Sequence, residues 1–427
     1  MSSSNSVTSD SPAPDPGHWP EWFHHDQQAA WDLFQSLPLP SRRDEPWRFA
    51  NIKATDLSGF SAAAPVRDAA DLVSRSSGLT GLSAKLVFGN DVLLHSETTD
   101  LPAGVLVMTL EKAAKEHGDL FRKSFMSSEI RLGSKKFAAL HKARLRTGTF
   151  VHVPKGVSVA KPIEIWHWVE GESAAVFPHT LIVLEEGASA TVIDRFVSAG
   201  NDASLAVAVN DLSLAAGSRL SYVGVQDWSD RTTAFHLNTT GVEKEGTSTA
   251  LQLNLGGSYI RGESDSRLRG EGSRSVMLSI NPASGEREID QRTFQDHFAP
   301  RATSDLLYHN ALSDSSKTIF AGLIKVEEAA HETDAYQKVR NLMLSDEAEA
   351  NSMPGLEILA DNVRCTHGAT SGELNEDELF YMMARGIPPK QAAQLIVRGF
   401  FGTVLERLEN PMLQEHFGVI LDRKLNL

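Results

Sequence analysis

One unit of sequence recurs through the middle of this chain and constrains its fold more than any other feature. A polar pair or a lysine is followed by glycine, then a small or β-branched residue, then alternating apolar positions, around Gly156, Gly187, Gly217, Gly246 and Gly272. Successive glycines are 31, 30, 29 and 26 residues apart. The intervening segments are rich in Val, Ile, Thr and Ala in short alternating runs, the signature of strands. A near-constant period of this size marks stacked supersecondary units. No helical pattern lies between the strands, which disfavours a βαβ sheet. The spacing predicts a parallel β-helix over residues 148–372, with a large antiparallel sandwich as the alternative.

The flanks read differently. Residues 1–18 open with a Ser/Pro/Asp-rich stretch of disordered composition. Residues 19–147 form a mixed, largely helical region. It begins with an amphipathic helix carrying Trp22, Phe23, Trp31 and Phe34 that ends near Ser36, before Pro38 and Pro40. Residues 373–427 are helical again. Asn375 with Glu378 three residues on resembles a capping box, and Gly386 followed by Pro388 and Pro389 ends that helix. A second helix runs from about Pro388 to Leu408, and a third opens at Asn410 with Pro411 in its first position.

Composition narrows the functional classes. The net charge of −14 opposes broad binding to nucleic acid or to anionic membrane. No apolar run approaches the ~18 residues of a membrane span, and the N-terminus lacks the charge and apolar core of a signal peptide, so the expected location is the cytoplasm. The chain has no Gly-Lys dipeptide and hence no phosphate-binding loop. Gly270-Glu271-Gly272 is followed by Ser at 275, which spoils a dinucleotide fingerprint; His331-Glu332 is followed by Ala at 335, which spoils a zincin motif. Asp290, Arg292 and Asp296 would suit a glycan-cleaving β-helix enzyme if they converged in an open site.

The single cysteine, Cys365, rules out an intramolecular disulfide and a multi-cysteine cluster motif within one chain. It lies in Asp361-Asn362-Val363-Arg364-Cys365-Thr366-His367-Gly368, after a strand-like run at Leu356–Ala360. On a strand, Cys365 and His367 share a face. A thiol and an imidazole side by side can hold iron or zinc, but two ligands complete no tetrahedral site, so such a pair would be half of an intersubunit site. The alternative is a small buried cysteine and a structural histidine. His297, His309 and His331 lack a ligand-type neighbour and read as structural or surface residues. Phe380-Tyr381 and Met382-Met383 share one helix, where they either pack or form a partner-binding face.

Several blocks in order carry a family resemblance: Glu332-Thr333-Asp334-Ala335-Tyr336-Gln337, Arg340-Asn341-Leu342-Met343-Leu344-Ser345, Pro354-Gly355-Leu356-Glu357-Ile358, Cys365-Thr366-His367-Gly368-Ala369-Thr370, and Leu379-Phe380-Tyr381 with Arg385-Gly386-Ile387. Through them the chain resembles the SufB/SufD family of iron–sulfur cluster assembly scaffolds, densely over residues 297–401 and loosely over the repeats before them. His367-Gly368-Ala369-Thr370, Glu45-Pro46-Trp47-Arg48-Phe49 and the shortage of cysteines are similar to the SufD branch. Val339 departs from the asparagine common there.

The resemblance implies a mainly β chain: a right-handed parallel β-helix core flanked by N- and C-terminal helical domains. It implies a scaffold and not an enzyme, in complex with a SufB-like chain and the ATPase SufC. His367, with Cys365 secondary, would contribute to a nascent iron–sulfur cluster shared with the SufB-like chain. Leu379, Phe380, Tyr381, Arg385, Gly386 and Ile387 would dock SufC, the source of ATP binding that this chain lacks. A SufB-like homodimer, or a homodimer in isolation, is the alternative assembly.

Overall fold

A computed structural model of the chain describes residues 6–8 and 18–426. The opening stretch expected to be disordered falls outside these residues except at 6–8, where Val7 is buried and donates its N–H to Phe60 O.

The repeat builds a parallel β-helix. Each coil contributes one strand to each of two sheets, so strands adjacent in sequence lie in opposite sheets. The first sheet runs from Leu106–Thr109 to Glu349–Ile358, and the second from Val92–Thr98 to Arg364–Glu373. Pairing from coil to coil is parallel and continuous. Tyr259 lies beside Glu288 and Glu288 beside Lys317, 29 residues per coil. In the second sheet Arg274 lies beside Thr303, also 29 residues on. The sandwich alternative is thereby set aside: over residues 148–372 neighbouring strands of each sheet are about thirty residues apart and parallel, as a coiled chain requires and a hairpin-linked sandwich forbids.

The recurring glycine has a conformational cause. Gly156, Gly187, Gly217 and Gly272 have φ of 70°, 68°, 67° and 67°, the left-handed corner at which the chain turns from the first sheet into the second. The corner N–H donates to the next coil, as in Gly187 N–H to Ala216 O and Gly217 N–H to Lys244 O, both 2.8 Å. In the coil between Gly217 and Gly272 this position belongs to Glu245 (φ 56°), one residue before Gly246. The column then continues through Arg301, Glu332 and Asn362, with φ of 57°, 60° and 56°. The geometry persists after glycine stops marking it.

Both sheets also extend before residue 148. Ala84–Gly89 joins the second sheet beside Ile163–Val169, and Leu106–Thr109 pairs antiparallel with Thr149–Val153 in the first. These pairings close the N-terminal end of the β-helix.

The two outer faces are covered by different parts of the chain. On the first sheet, helices Glu21–Ser36 and Lys135–Arg144 bury Trp31, Phe34, Phe137 and Leu140 against Leu205, Val207 and Phe235. On the second, helices Pro389–Leu405 and Pro411–Lys424 bury Phe401, Val404 and Phe417 against Leu253, Leu278 and Ala311. Each such aromatic or aliphatic side chain contributes about 1.5–3 kcal/mol on burial. Strands beneath these covers are buried on both faces, as along Ser204–Leu214.

Arg261 fastens the N-terminal cover. It is fully buried; its guanidinium stacks 3.7 Å from the centre of the Trp47 ring. It bonds Glu263 at 2.9 Å, Leu132 O at 2.9 Å, Pro46 O at 3.1 Å, and Asp290. Burial opposes the charge, but Asp290 and Glu263 outweigh it and hold the pKa above the ordinary arginine value. A buried cation with this full a set of acceptors is costly to disturb, because removing one partner strands the others.

The corner column yields a test. Gly217→Ala should lower stability by about 1 kcal/mol, since the residue keeps its left-handed φ and acquires a Cβ. Glu245→Gly should raise it by a similar amount. Urea midpoints of the two variants against wild type measure both; equal midpoints would show that the corner carries no strain.

Candidate functional site

The last coil differs from all before it. Among the described residues, strands Glu349–Ile358 and Arg364–Glu373 are each bonded on one side only, so the β-helix ends in two edge strands. Their residues are half-buried or exposed along the full length, including Leu356 and Ile358.

Cys365 and His367 lie on this final strand. The register sets Cys365 beside Ala335 and His367 beside Gln337. Along the underlying strand Ala335, Gln337, Val339 and Asn341 are buried, while Tyr336, Lys338 and Arg340 between them are exposed. Cys365, His367, Ala369 and Ser371 therefore share the face turned to the interior, at its uncovered end. The strand expected to run on from Leu356–Ala360 instead ends at Ile358, and after residues 359–363 the chain enters a separate strand of the other sheet, on which Cys365 and His367 share one face.

Their surroundings differ. Cys365 is half-buried and packs onto a cluster containing Ile324, Val326 and Ala335. Burial pushes its thiol pKa up and Asp334 adds to the effect, against a backbone contact from Ala335. The neutral thiol is a weak ligand, since the thiolate is the metal-binding form. His367 is exposed at the rim. Among the described residues no group of three or more His, Cys, Asp or Glu side chains is placed to hold a metal ion.

Beneath the rim, polar side chains replace part of the apolar filling. Asn254, Asn281, Asn310 and Asn341 form a ladder in which each amide donates to the next at 2.6–2.8 Å. It continues from Asn341 to Ser371 at 3.1 Å. Sequence reasoning missed this ladder, although its intervals of 27, 29 and 31 residues match the coil length.

The C-terminal segment places its aromatic pair in the open. Asn375 caps helix Glu376–Met383 by accepting from the N–H groups of Asp377 and Glu378. No residue of this helix is buried; Phe380 is 72% exposed and Tyr381 57%. Leu379 and Ile387 are half-buried, and Arg385 lies 3.4 Å from the centre of the Tyr381 ring. Gly386, with φ 85°, ends the helix. The pair does not serve the core packing that was its alternative reading.

The glycan-cleaving constellation does not form an open site. Asp290 is fully buried between Arg261 and Arg292, and Asp296 is 1% exposed and bonded to Arg131 at 2.7 Å. Among the described residues no helix is long and apolar enough to cross a membrane.

Comparison with known proteins agrees with this architecture. Residues 167–400 match the family described as "SUF system FeS cluster assembly, SufBD core domain". Residues 18–165 match "SufBD protein N-terminal region". The chain is 27% identical to the iron–sulfur cluster assembly protein SufD of Bacillus subtilis, covering 95% of this chain and 94% of that one. It is 28% identical to SufB of the same organism, covering 75% and 69%. A SufBD family protein of Mycobacterium tuberculosis is 26% identical, covering 93% and 92%.

Of the other histidines, His297 and His309 lie deeper in the stack, while His331 sits beside the turn that joins the two terminal strands. His309 stacks on Phe400 at 4.1 Å and its Nδ1–H donates to Phe400 O at 2.8 Å. His297 Nε2 bonds Ser304 Oγ at 2.8 Å, and His331 is exposed beside Asp361 O. Burial holds His236, His297 and His309 down to about 4. An unfolded histidine titrates near about 6.5, so between those values the unfolded chain binds more protons than the folded one. Their contribution is complete above about pH 6.5 and is lost as pH falls toward 4. The urea midpoint should drop between about pH 7.5 and pH 5. His309→Asn, which keeps a donor toward Phe400 O, should show a smaller drop; an unchanged drop would mean that His309 is not held neutral.

Proposed function

Since this chain belongs to the SufBD family of iron–sulfur cluster assembly proteins, we propose that it acts as the SufD-type half of a heteromeric scaffold. Its open β-helix end meets a SufB-like chain, and a nascent cluster forms across that junction as cargo. His367 contributes a ligand or handles a proton for the cluster. Cys365 is secondary, and the SufB-like chain supplies the cysteine ligands this one lacks.

The observation that carries the reading is the position of His367 on the interior face of the terminal edge strand. An uncapped edge offers its backbone N–H and C=O groups to another chain. A partner that continues the ladder there would bring its own side chains beside His367. The exposed Leu356 and Ile358 on the opposite edge strand give the junction apolar area to bury. A pairing of two copies of this chain through the same edge is the alternative arrangement, and the similar identity to a SufB protein keeps it in view.

Energy enters through a second surface. The helix bearing Phe380 and Tyr381, with Leu379, Arg385, Gly386 and Ile387 at its end, docks the ATPase SufC. Exposed aromatic side chains commonly dominate such interfaces. Nucleotide-driven movement of SufC would then reach the β-helix through the two helices packed on its second sheet.

Two experiments test these assignments. A complex reconstituted with a SufB-like chain and SufC should gain visible absorption, and the isolated chain should remain nearly colourless. Iron and sulfide content should fall in the His367→Ala complex, with Cys365→Ser less affected; equal content in His367→Ala and wild type would remove His367 from the site. Separately, the Phe380→Ala/Tyr381→Ala double variant should bind SufC roughly tenfold more weakly or worse. Undiminished binding by the folded double variant would move the ATPase to another face.

A further inference from the structure

One coil below His367, a buried amide oxygen lacks a partner. Gln337 is the register neighbour of His367, shares its interior-facing row and is 2% exposed. Its Oε1 is fully enclosed and has no hydrogen-bond partner among the described residues. Leaving such an acceptor unsatisfied costs about 1–3 kcal/mol.

The orientation of the amide follows from its neighbours. Tyr336 O can only accept, and Gln295 Nε2 lies 3.1 Å from it, so Gln295 directs its nitrogen there and toward Ser304 Oγ at 2.7 Å. Gln295 then has only Oε1 left for Gln337, which must answer with Nε2–H, at 3.3 Å. Gln295 belongs to the preceding coil. With its nitrogen committed to that side, the Gln337 amide has its oxygen free; His367 stands beside it in the coil that follows, and in the described side-chain positions the two are not bonded. Gly322 on the facing strand leaves room for this arrangement: a methyl group there would run into the Gln337 amide nitrogen.

The geometry points to Gln337 as the residue that positions His367, its Oε1 accepting one ring N–H of the neutral imidazole. Adjacent residues in parallel register stand about 4.8 Å apart, within reach of such a bond. The contact would fix one tautomer and turn the other ring nitrogen, with its lone pair, toward the open rim. Metal-binding histidines are commonly held in this way by an acceptor behind them. The inference rests on the reading of His367 as a ligand for cluster cargo and adds the group that orients it.

The test is read on the isolated chain, without any cluster. Protein labelled with 15N at histidine is examined by long-range 1H–15N correlation in mildly alkaline buffer, where imidazoles are neutral. The His367 signals are identified by their loss in His367→Ala. Wild type should show two well-separated ring-nitrogen resonances, the mark of one tautomer. In Gln337→Met, which keeps the length but removes the acceptor, the separation should shrink toward the averaged value. Gln337→Glu, which retains an acceptor, should restore it. Gly322→Ala, which displaces the same amide from the facing strand, should act like Gln337→Met. An unchanged wild-type pattern in folded Gln337→Met, or failure of Gln337→Glu to restore it, overturns the assignment. This readout stands apart from the iron and sulfide content of His367→Ala complexes, so failure of the contact and failure of the ligand reading are separate results.

Discussion

The molecule depends on one constraint: each strand finds its hydrogen-bond partners a full coil away, in fixed register. From Ser204–Leu214 through Glu288–His297 to Lys317–Val326 the parallel pairing continues without a slip. A one-residue slip would exchange the interior and exterior faces of a strand. The corner column prevents this by turning every coil at one place, with the corner N–H bonded to the next coil. The asparagine ladder works in the same direction. Its amides bond only when coils are in register, so each rung links side-chain satisfaction to backbone alignment.

A ladder of this kind must end, and its two ends are treated differently. At the N-terminal end, Val92–Thr98 and Leu106–Thr109 reverse direction and pair antiparallel with the strands beneath them. At the other end the parallel run stops with Glu349–Ile358 and Arg364–Glu373. The interior-facing row there contains a thiol, an imidazole and a hydroxyl where the coil beneath carries Ala335, Gln337, Val339 and Asn341.

The period, the parallel arrangement and the terminal helices were legible because each has a local cause. Glycine marked the left-handed corner at Gly156, Gly187 and Gly217, and Asn375 and Asn410 marked helix starts by the amides they cap. The corner stopped being legible at Arg301, Glu332 and Asn362, because the backbone hydrogen bonds of the stack hold residues there that would not choose that conformation alone. At the site, spacing revealed that Cys365 and His367 share a face. Which face, and the fact that no further coil covers it, depend on pairing across about thirty residues. Gln337 was hidden for the same reason: it stands thirty residues before His367, and only the register makes them neighbours.

The residues that mark the family divide along this line. Glu45-Pro46-Trp47-Arg48-Phe49 resembled a signature, and its role here is mechanical. Trp47 covers the Arg261 guanidinium, and Pro46 O accepts from it. Asp290, which could have suited glycan cleavage, is the counter-ion of that arginine and of Arg292. These groups hold the N-terminal cover on the first sheet, with Asp290 and Arg261 fully buried against each other and closed to solvent. The coil bearing His367 is not covered in this way and ends in two edge strands. An unpaired acceptor at Gln337, a rim imidazole and two edge strands all lie at one end, so under the proposed pairing a partner that extends the β-helix would complete packing and hydrogen bonding and bring its own ligands beside His367.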